Sequence, residues 1–463
     1  MNWALLKNSL LLPTGVTVLA TSLGFLAGLC AVCLGRRWRY TVVLCAVIAL
    51  LLPPFLVTNC WLHYLGANGV WRPFVPLNIF SMAGAIGILS LLYWPIPMLA
   101  CLAAWRRVES THLEADPALQ GAWLIRLLLW PIARPLLALA SLIVFVLALN
   151  NFAVPTILQT RVLAANIWIS YNTNLDAAAA FFESVPLILA SFAFLLIAAS
   201  TGISWPFREK LAEATAFRRQ IGMTWFGVVT AATIALLALS VVLPFGHLIS
   251  AAETWKQLPL VLRAASGVIT NSAVYAALTA TACLLLGFAL WRVRIASWLW
   301  IAFLVPGMFV ALLLILTFNR PGLGIVYGTG VMVVLACTIR YCALAWSSLR
   351  RAMQSVDTEL TDAARLEGAR GWQLFRHVHW PQVALYAGFA WYVVYVLCLW
   401  DVETLMLVLP PGGETLAARI FNMLHYGHTG QVNSLCMVLL ALALAPLWLI
   451  GQLRPKASRS VKL

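Results

Sequence analysis

The chain reads as an all-α, polytopic membrane bundle made of two parallel repeats, and three observations predict it. Apolar residues make up 63% of the 463 positions and charged residues only 10%, more apolar surface than a soluble fold of this length hides. The apolar residues come in continuous runs. Stretches such as 223–249 exceed the roughly 20 helical residues that cross ~30 Å of hydrocarbon at ~1.5 Å each. A barrel would instead show short alternating segments. Finally, dipeptides recur at fixed offsets between the halves.

Runs bounded by charge, Gly/Pro or polar clusters predict eleven spans: 9–34, 40–61, 78–104, 135–157, 185–205, 223–249, 272–291, 296–318, 327–349, 382–408 and 431–450. The first run is long, and Arg36, Arg37 and Arg39 follow it rather than precede it, so it reads as a retained helix and not a cleaved leader. Orientation follows from the cations. With the N-terminus outside, 22 Lys and Arg fall on inner segments and seven on outer ones, with Arg340 left inside a span. The +15 formal charge is thereby assigned to cytoplasmic loops facing the bilayer surface, and no nucleic-acid partner is needed to explain it. The ten cysteines lie in or beside apolar runs, where they act as small hydrophobes. Cys30 and Cys33 form a lone C-x-x-C without a second pair or a nearby His, so no disulfide framework and no metal site is expected.

Asn8-Ser9 and Gly24-Phe25 reappear as Asn271-Ser272 and Gly287-Phe288, an offset of 263, and Trp130-Pro131 reappears as Trp380-Pro381, an offset of 250. Both Asn-Ser pairs open outward-to-inward spans, so the repeat is parallel. The expected modules are 1–210 with five helices and 221–455 with six. The second begins with a helix, 223–249, that has no counterpart before Asn8; either that helix was lost or the start is truncated. Residues 207–220 read as a charged cytoplasmic linker.

The segment 357–381 carries the chemistry. It predicts a helix from Thr358 capped by Asp357, a break near Gly368, and a second amphipathic piece ended by Pro381. Ala363 and Ala364 permit close approach, and Asp362 or Glu367 could meet a partner's cations. The alternative is an ordinary solvated loop.

The spacing Asp362-Ala363-Ala364, then Gly368-Ala369, Phe375 and a proline 13 residues after the glycine at Pro381 resembles the cytoplasmic loop of binding-protein-dependent ABC transporter permeases. Asp stands for that family's usual Glu. The resemblance implies a coupling helix that docks on an ATP-hydrolysing subunit. It also implies two copies of a cytoplasmic P-loop ATPase, an extracytoplasmic solute-binding protein, and residence in a bacterial inner membrane with the C-terminus cytoplasmic. It covers most of 220–455. The first half matches only through a gapped, degenerate loop near 111–131: Glu114, Ala115, Gly121, Ala122 and Pro131. In ungapped register His112 stands at Asp362 and Ala118 at Gly368, so asymmetric coupling is expected. The Leu149–Pro155 stretch and Pro410–Gly427 look most like the ferric-iron importer branch, with thiamine, phosphonate, molybdate/sulfate and polyamine permeases as relatives.

Other residues divide between site and scaffold. An ion inside a span is a functional candidate. Helical rise places Arg340 ~15 Å from Arg350 at the inner end and Asp401 ~30 Å out from Pro381, so the two are not expected to pair. Arg340 either snorkels inward or lines the path. Asn150, Asn151, Asp401, Glu403 and Glu414 would sit at the outer mouth, or simply face water from an interfacial loop. His425, Tyr426 and His428 are ligand types for iron, or a solvated loop. No G-x-x-x-x-G-K-[ST], H-E-x-x-H or G-x-S-x-G occurs. The chain therefore reads as a transport subunit with no cofactor and no catalytic residues of its own. A self-sufficient secondary transporter is the competing class, and it would need several buried carboxylates.

Overall fold

The computed structural model describes residues 3–75, 77–108, 119–200, 213–293, 298–425 and 429–452. Helices run through them in the order α1 (Trp3–Cys33), α2 (Arg36–Leu51), α3 (Pro54–Leu65), α4 (Met82–Tyr93), α5 (Pro95–Trp105), α6 (Gly121–Leu149), α7 (Leu163–Asn172), α8 (Ala177–Ser200), α9 (Ala214–Ile221) and α10 (Met223–Ser250). Then follow α11 (Ala252–Ala264), α12 (Ser266–Leu290), α13 (Leu299–Leu304), α14 (Gly307–Phe318), α15 (Gly330–Gln354), α16 (Thr358–Leu366), α17 (Trp372–Trp400), α18 (Leu416–His425) and α19 (Thr429–Gln452). Among the described residues six helices are long and apolar enough to cross a membrane, or eight if the bent pairs α2–α3 and α4–α5 each count as one span. All-α architecture is thus confirmed.

Several predicted spans are not single rods. The run 40–61 turns by 91° between α2 and α3, and 296–318 is interrupted between α13 and α14. The cause is the same in both. Pro53 and Pro306 sit at the N-caps of α3 and α14 with extended backbone, and a proline cannot continue the preceding helix. Span 135–157 begins earlier, at Gly121, and stops at Leu149, while 382–408 begins at Trp372 and stops at Trp400. The linker also differs from expectation over its described part. Residues 214–221 form α9, whose Phe217 and Ile221 are buried in the first unit's core beside Trp105 and Leu129.

The chain packs as two compact units, Met1–Gln257 with Met423–Asn433, and Leu258–Asn422 with Ser434–Leu463. In the first, α1, α5 and α6 pack pairwise, and α10 joins α1. In the second, α12, α15 and α17 pack pairwise in the same way. The repeated dipeptides explain the likeness. A Cβ on Gly24 would lie 2.5 Å from the Trp94 carbonyl oxygen, and one on Gly287 would lie 2.7 Å from Leu349 Cδ1, so glycine lets the helices touch at both places. Phe25 packs edge-on against Trp130 at 5.6 Å, and Phe288 packs at a tilt of 45° against Trp380 at 6.2 Å. Ser9 Oγ accepts from the Leu163 amide and Ser272 Oγ from the Leu416 amide, each at 2.7 Å. Asn8 donates to the Arg161 carbonyl at 3.1 Å, and Asn271 donates to those of Gly412 and Glu414 at 3.0 and 3.2 Å.

The loop held by each Asn-Ser pair turns through a left-handed residue, Gly412 (φ 75°) in the second unit and Gln159 (φ 56°) in the first. A side chain there costs about 1–2 kcal/mol. Gln159→Gly is therefore expected to raise thermal stability by up to about 1 kcal/mol after glycine's own entropic cost, which a detergent melting curve reads directly.

Candidate functional site: the coupling loop and the ion cluster above it

Helix α16 forms as its sequence dictates. Asp357 Oδ1 accepts from the amides of Glu359 (2.9 Å) and Leu360 (3.4 Å), closing the N-terminus. At the other end Gly368 adopts φ 88°, its amide donates to the Arg365 carbonyl at 3.0 Å, and the Ala369 amide donates to that of Ala364 at 2.9 Å. This paired closure needs a left-handed residue, which glycine supplies without strain. The short helix has no buried residue. Leu360 and Leu366 are 55% and 90% exposed, and Ala363, Asp362 and Glu367 lie on the surface with them. Ala364 and Ala369 are half-buried. Asp362 pairs with Arg365 at 3.2 Å, an exposed i,i+3 contact of small energetic weight. Replacing Asp357 by alanine should cost about 1 kcal/mol of local helix stability, visible as faster amide exchange at Glu359 and Leu360.

One expectation about this loop is corrected. Pro381 does not end the second piece, because α17 runs unbroken from Trp372 to Trp400. The turn just before the proline, Phe375–His379, is a π-turn. Widening the helix moves the carbonyl four residues back away from the proline ring, the clash that normally breaks a helix. The same device precedes Pro131 (Ile125–Leu129) and Pro244 (Ala238–Val242). Phe375 lies in an aromatic group with Trp372 at 5.5 Å, Phe288 at 5.9 Å and Trp380 at 6.1 Å, which seats the start of α17 on α12.

Of the first-half loop residues, Glu114 and Ala115 lie outside the described residues, as do His112 and Ala118. Gly121 (φ 56°) is the structural equivalent of Gly371 (φ 50°): each stands at a helix start, Gly121 as the first residue and Gly371 as the N-cap, with a π-turn four residues later and a proline ten residues later. The ungapped offset of 250 is therefore the structural register. Gly121 does not stand in for Gly368. Ala122 opens the first turn of α6, and Pro131 lies beyond its π-turn as Pro381 does in α17.

The second feature is a buried ion cluster in the second unit. Arg340, 9% exposed on α15, reaches toward the C-terminal end of α17 and away from Arg350. Its Nη1 donates to both Asp401 carboxylate oxygens at 3.2 Å and to Thr404 Oγ1 at 2.6 Å, and its Nη2 donates to Glu403 at 2.8 Å. Tyr341 OH donates to Asp401 at 2.8 Å, and the Thr404 amide does so at 2.9 Å. Arg340 and Asp401 thus pair, against expectation. The error was one of level. Leu349, Ala352 and Met353 pack with Val383 and Ala387, so Pro381 lies opposite the end of α15 and not opposite Arg350. Measured from there the two residues differ by about five residues of rise, ~7.5 Å, which an extended arginine covers.

Asp401 and Glu403 consequently do not face water. Asn150 and Asn151 are buried too, at 6% and 8% exposure, in the first unit. Glu414 pairs with Arg419 at 2.7 Å. His425 is exposed at the end of α18, while Tyr426 and His428 fall outside the described residues. Sequence reasoning passed over Gly307 altogether. A Cβ there would lie 2.1 Å from Arg340 Nη1 and 2.4 Å from Thr404 Oγ1, so glycine makes room for the guanidinium. Its only sequence signal was a Pro-Gly pair inside an apolar run.

Comparison with known proteins finds its matches in this half of the chain. Residues 288–453, which include the whole of α15 to α18, match the family described as binding-protein-dependent transport system inner membrane component. Described relatives include 2-aminoethylphosphonate transport system permease proteins of Salmonella typhimurium (strain LT2) and Salmonella choleraesuis (strain SC-B67), each 25% identical over 156 residues. A Salmonella paratyphi A protein of the same description is 24% identical over the same length. The matches take in 33% of this chain and 58% of the relatives' length. Residues 288–453 are thus similar to the inner membrane component of binding-protein-dependent transport systems, over a little more than a third of the chain.

Proposed function

We propose that the chain is the membrane-spanning subunit of an ATP-driven importer that takes its solute from an extracytoplasmic binding protein. Two copies of a cytoplasmic P-loop ATPase would drive it in a bacterial inner membrane, with the N-terminus outside and the C-terminus inside. The observation that carries this reading is helix α16: closed at both ends, with no buried residue, and presenting Leu360 and Leu366 to the surface. An apolar side chain 90% exposed on a loop between two membrane helices is a contact waiting for a partner. The family match adds the nature of that partner. ATP binding and hydrolysis belong to the ATPase, and the permease converts its closure into alternate opening of the bundle to the two sides.

The solute has two supported readings. The relatives' descriptions favour an organophosphonate such as 2-aminoethylphosphonate. The likeness of Leu149–Pro155 and Pro410–Gly427 to ferric-iron permeases favours ferric iron. Part of that likeness is backbone bracing, since Asn151 caps the Val154 amide at 3.1 Å and Gly412 and Glu414 receive Asn271. Such contacts do not touch a solute, which lowers the weight of the iron reading.

The test is reconstitution of the chain with a cytoplasmic P-loop ATPase and a solute-binding protein from the same cell. Nucleotide-dependent uptake is expected, and competition between labelled 2-aminoethylphosphonate and ferric iron assigns the solute. Uptake that persists without nucleotide would instead support a secondary transporter.

A further inference from the structure

Among the described residues, the Arg340 cluster exists in one repeat only. Tyr341 bonds Asp401 as Tyr93 bonds Asn151 (3.4 Å), and the Asp401–Thr404 cap repeats the Asn151–Val154 cap. The registers these contacts set place Leu92 at Arg340, Ala153 at Glu403 and Val154 at Thr404. Pro54, just after the N-cap Pro53, stands at Gly307, just after the N-cap Pro306. The first unit therefore holds the same corner with a neutral set of side chains. A buried charge is not required to fold it.

The second unit's charged set is also closed to solute. Both terminal nitrogens of Arg340 are taken by protein acceptors and both oxygens of Asp401 are occupied, while the Arg340 Nε is buried without a hydrogen-bond partner. What the cluster does join is mechanical. Helices α15 and α17 are the two arms flanking the coupling loop. They touch near that loop through Leu349, Ala352, Met353, Val383 and Ala387, and toward the far end through the Arg340–Asp401 ion pair and the neighbouring thiols Cys337 and Cys398. Helix α17 spans the whole distance, 29 residues and about 43 Å, without a break.

We propose that the Arg340–Asp401–Glu403–Thr404 cluster is a clasp that makes this hairpin a single rigid lever, so that a push on α16 reaches the outer end of the second unit. Arg340 and Asp401 are positioning residues for transport. The proposal rests on the coupling reading above. With only the weak Cys337–Cys398 thiol contact left beyond the inner end, the hairpin would yield when pushed, and ATP would be hydrolysed without moving solute.

The experiment uses the full transporter in proteoliposomes and reads two quantities, ATP hydrolysis and solute moved per ATP. Installing the first repeat's neutral set, Arg340→Leu, Asp401→Asn, Glu403→Ala and Thr404→Val together, is expected to leave ATPase association and basal hydrolysis within about twofold. Solute per ATP should fall about tenfold or more, within the usual range of coupling between distant sites. Gly307→Ala keeps every charge and only crowds the guanidinium; it should lower the same ratio by a smaller factor, and it decides the matter if the fourfold variant does not assemble. An unchanged ratio in an assembled variant overturns the clasp. Failure of the wild-type chain to bind or stimulate any ATPase overturns the coupling reading instead, so the two are separable.

Discussion

Gly368→Val is expected to leave the protein inserted and thermally unchanged in detergent while reducing ATPase co-purification about tenfold or more. Gly368 holds φ 88°, and no atom lies within 4 Å of where a Cβ would stand. The substitution therefore meets no clash, only the left-handed strain of about 1–2 kcal/mol that a side chain incurs there. The exposed loop relieves that strain by opening the turn, which redirects Leu366 and Glu367. A loss of about 1.4 kcal/mol in docking is already a tenfold loss of affinity. Gly121→Val tests the opposite case. Its Cβ would lie 3.3 Å from Trp225 Cδ1, inside the first unit, so its effect should be on stability and smaller on coupling. Equal losses of association at the two positions would contradict asymmetric coupling.

Arg340→Leu alone should be the most destabilising single change in the second unit. It leaves Asp401 (5% exposed) and Glu403 without their cation, and removing one partner of a buried pair costs about 3–5 kcal/mol. Asp401→Asn combined with it should recover much of the loss, because Asn151 shows that an amide serves at that corner. Thermal unfolding in detergent measures both variants. Equal stability of Arg340→Leu and the wild type would mean that the cluster is solvated in the membrane-embedded protein.

Much of this was legible before any coordinates. The Asp357 cap, the Gly368 break and the Asn-Ser and Gly-Phe repeats each depend on local chemistry: an acceptor at a helix start, a left-handed residue at its end, small and polar side chains where backbones meet. Three features were not legible, for physical reasons. Pro381 reads as a stop signal unless the preceding turn is known to be widened, and π-turns carry no residue signature. The pairing of Arg340 with Asp401 depends on the relative level of two helices, which residue counts from assumed membrane edges misplace by between one and two turns. Gly307 matters through the side chains of Arg340 and Thr404, 33 and 97 positions away in the sequence.

The central claim is that α16 is a docking element on the inner face of the membrane, and Leu366→Cys tests it most directly. The ten native cysteines are unbonded, and nine of them are buried, so a membrane-impermeant maleimide has little background. In inside-out vesicles Cys at position 366 should label rapidly when the ATPase is stripped away, become protected when it is restored, and cross-link to it through a short bifunctional reagent. Labelling from the outer face of intact cells, or labelling indifferent to the ATPase, would contradict the account.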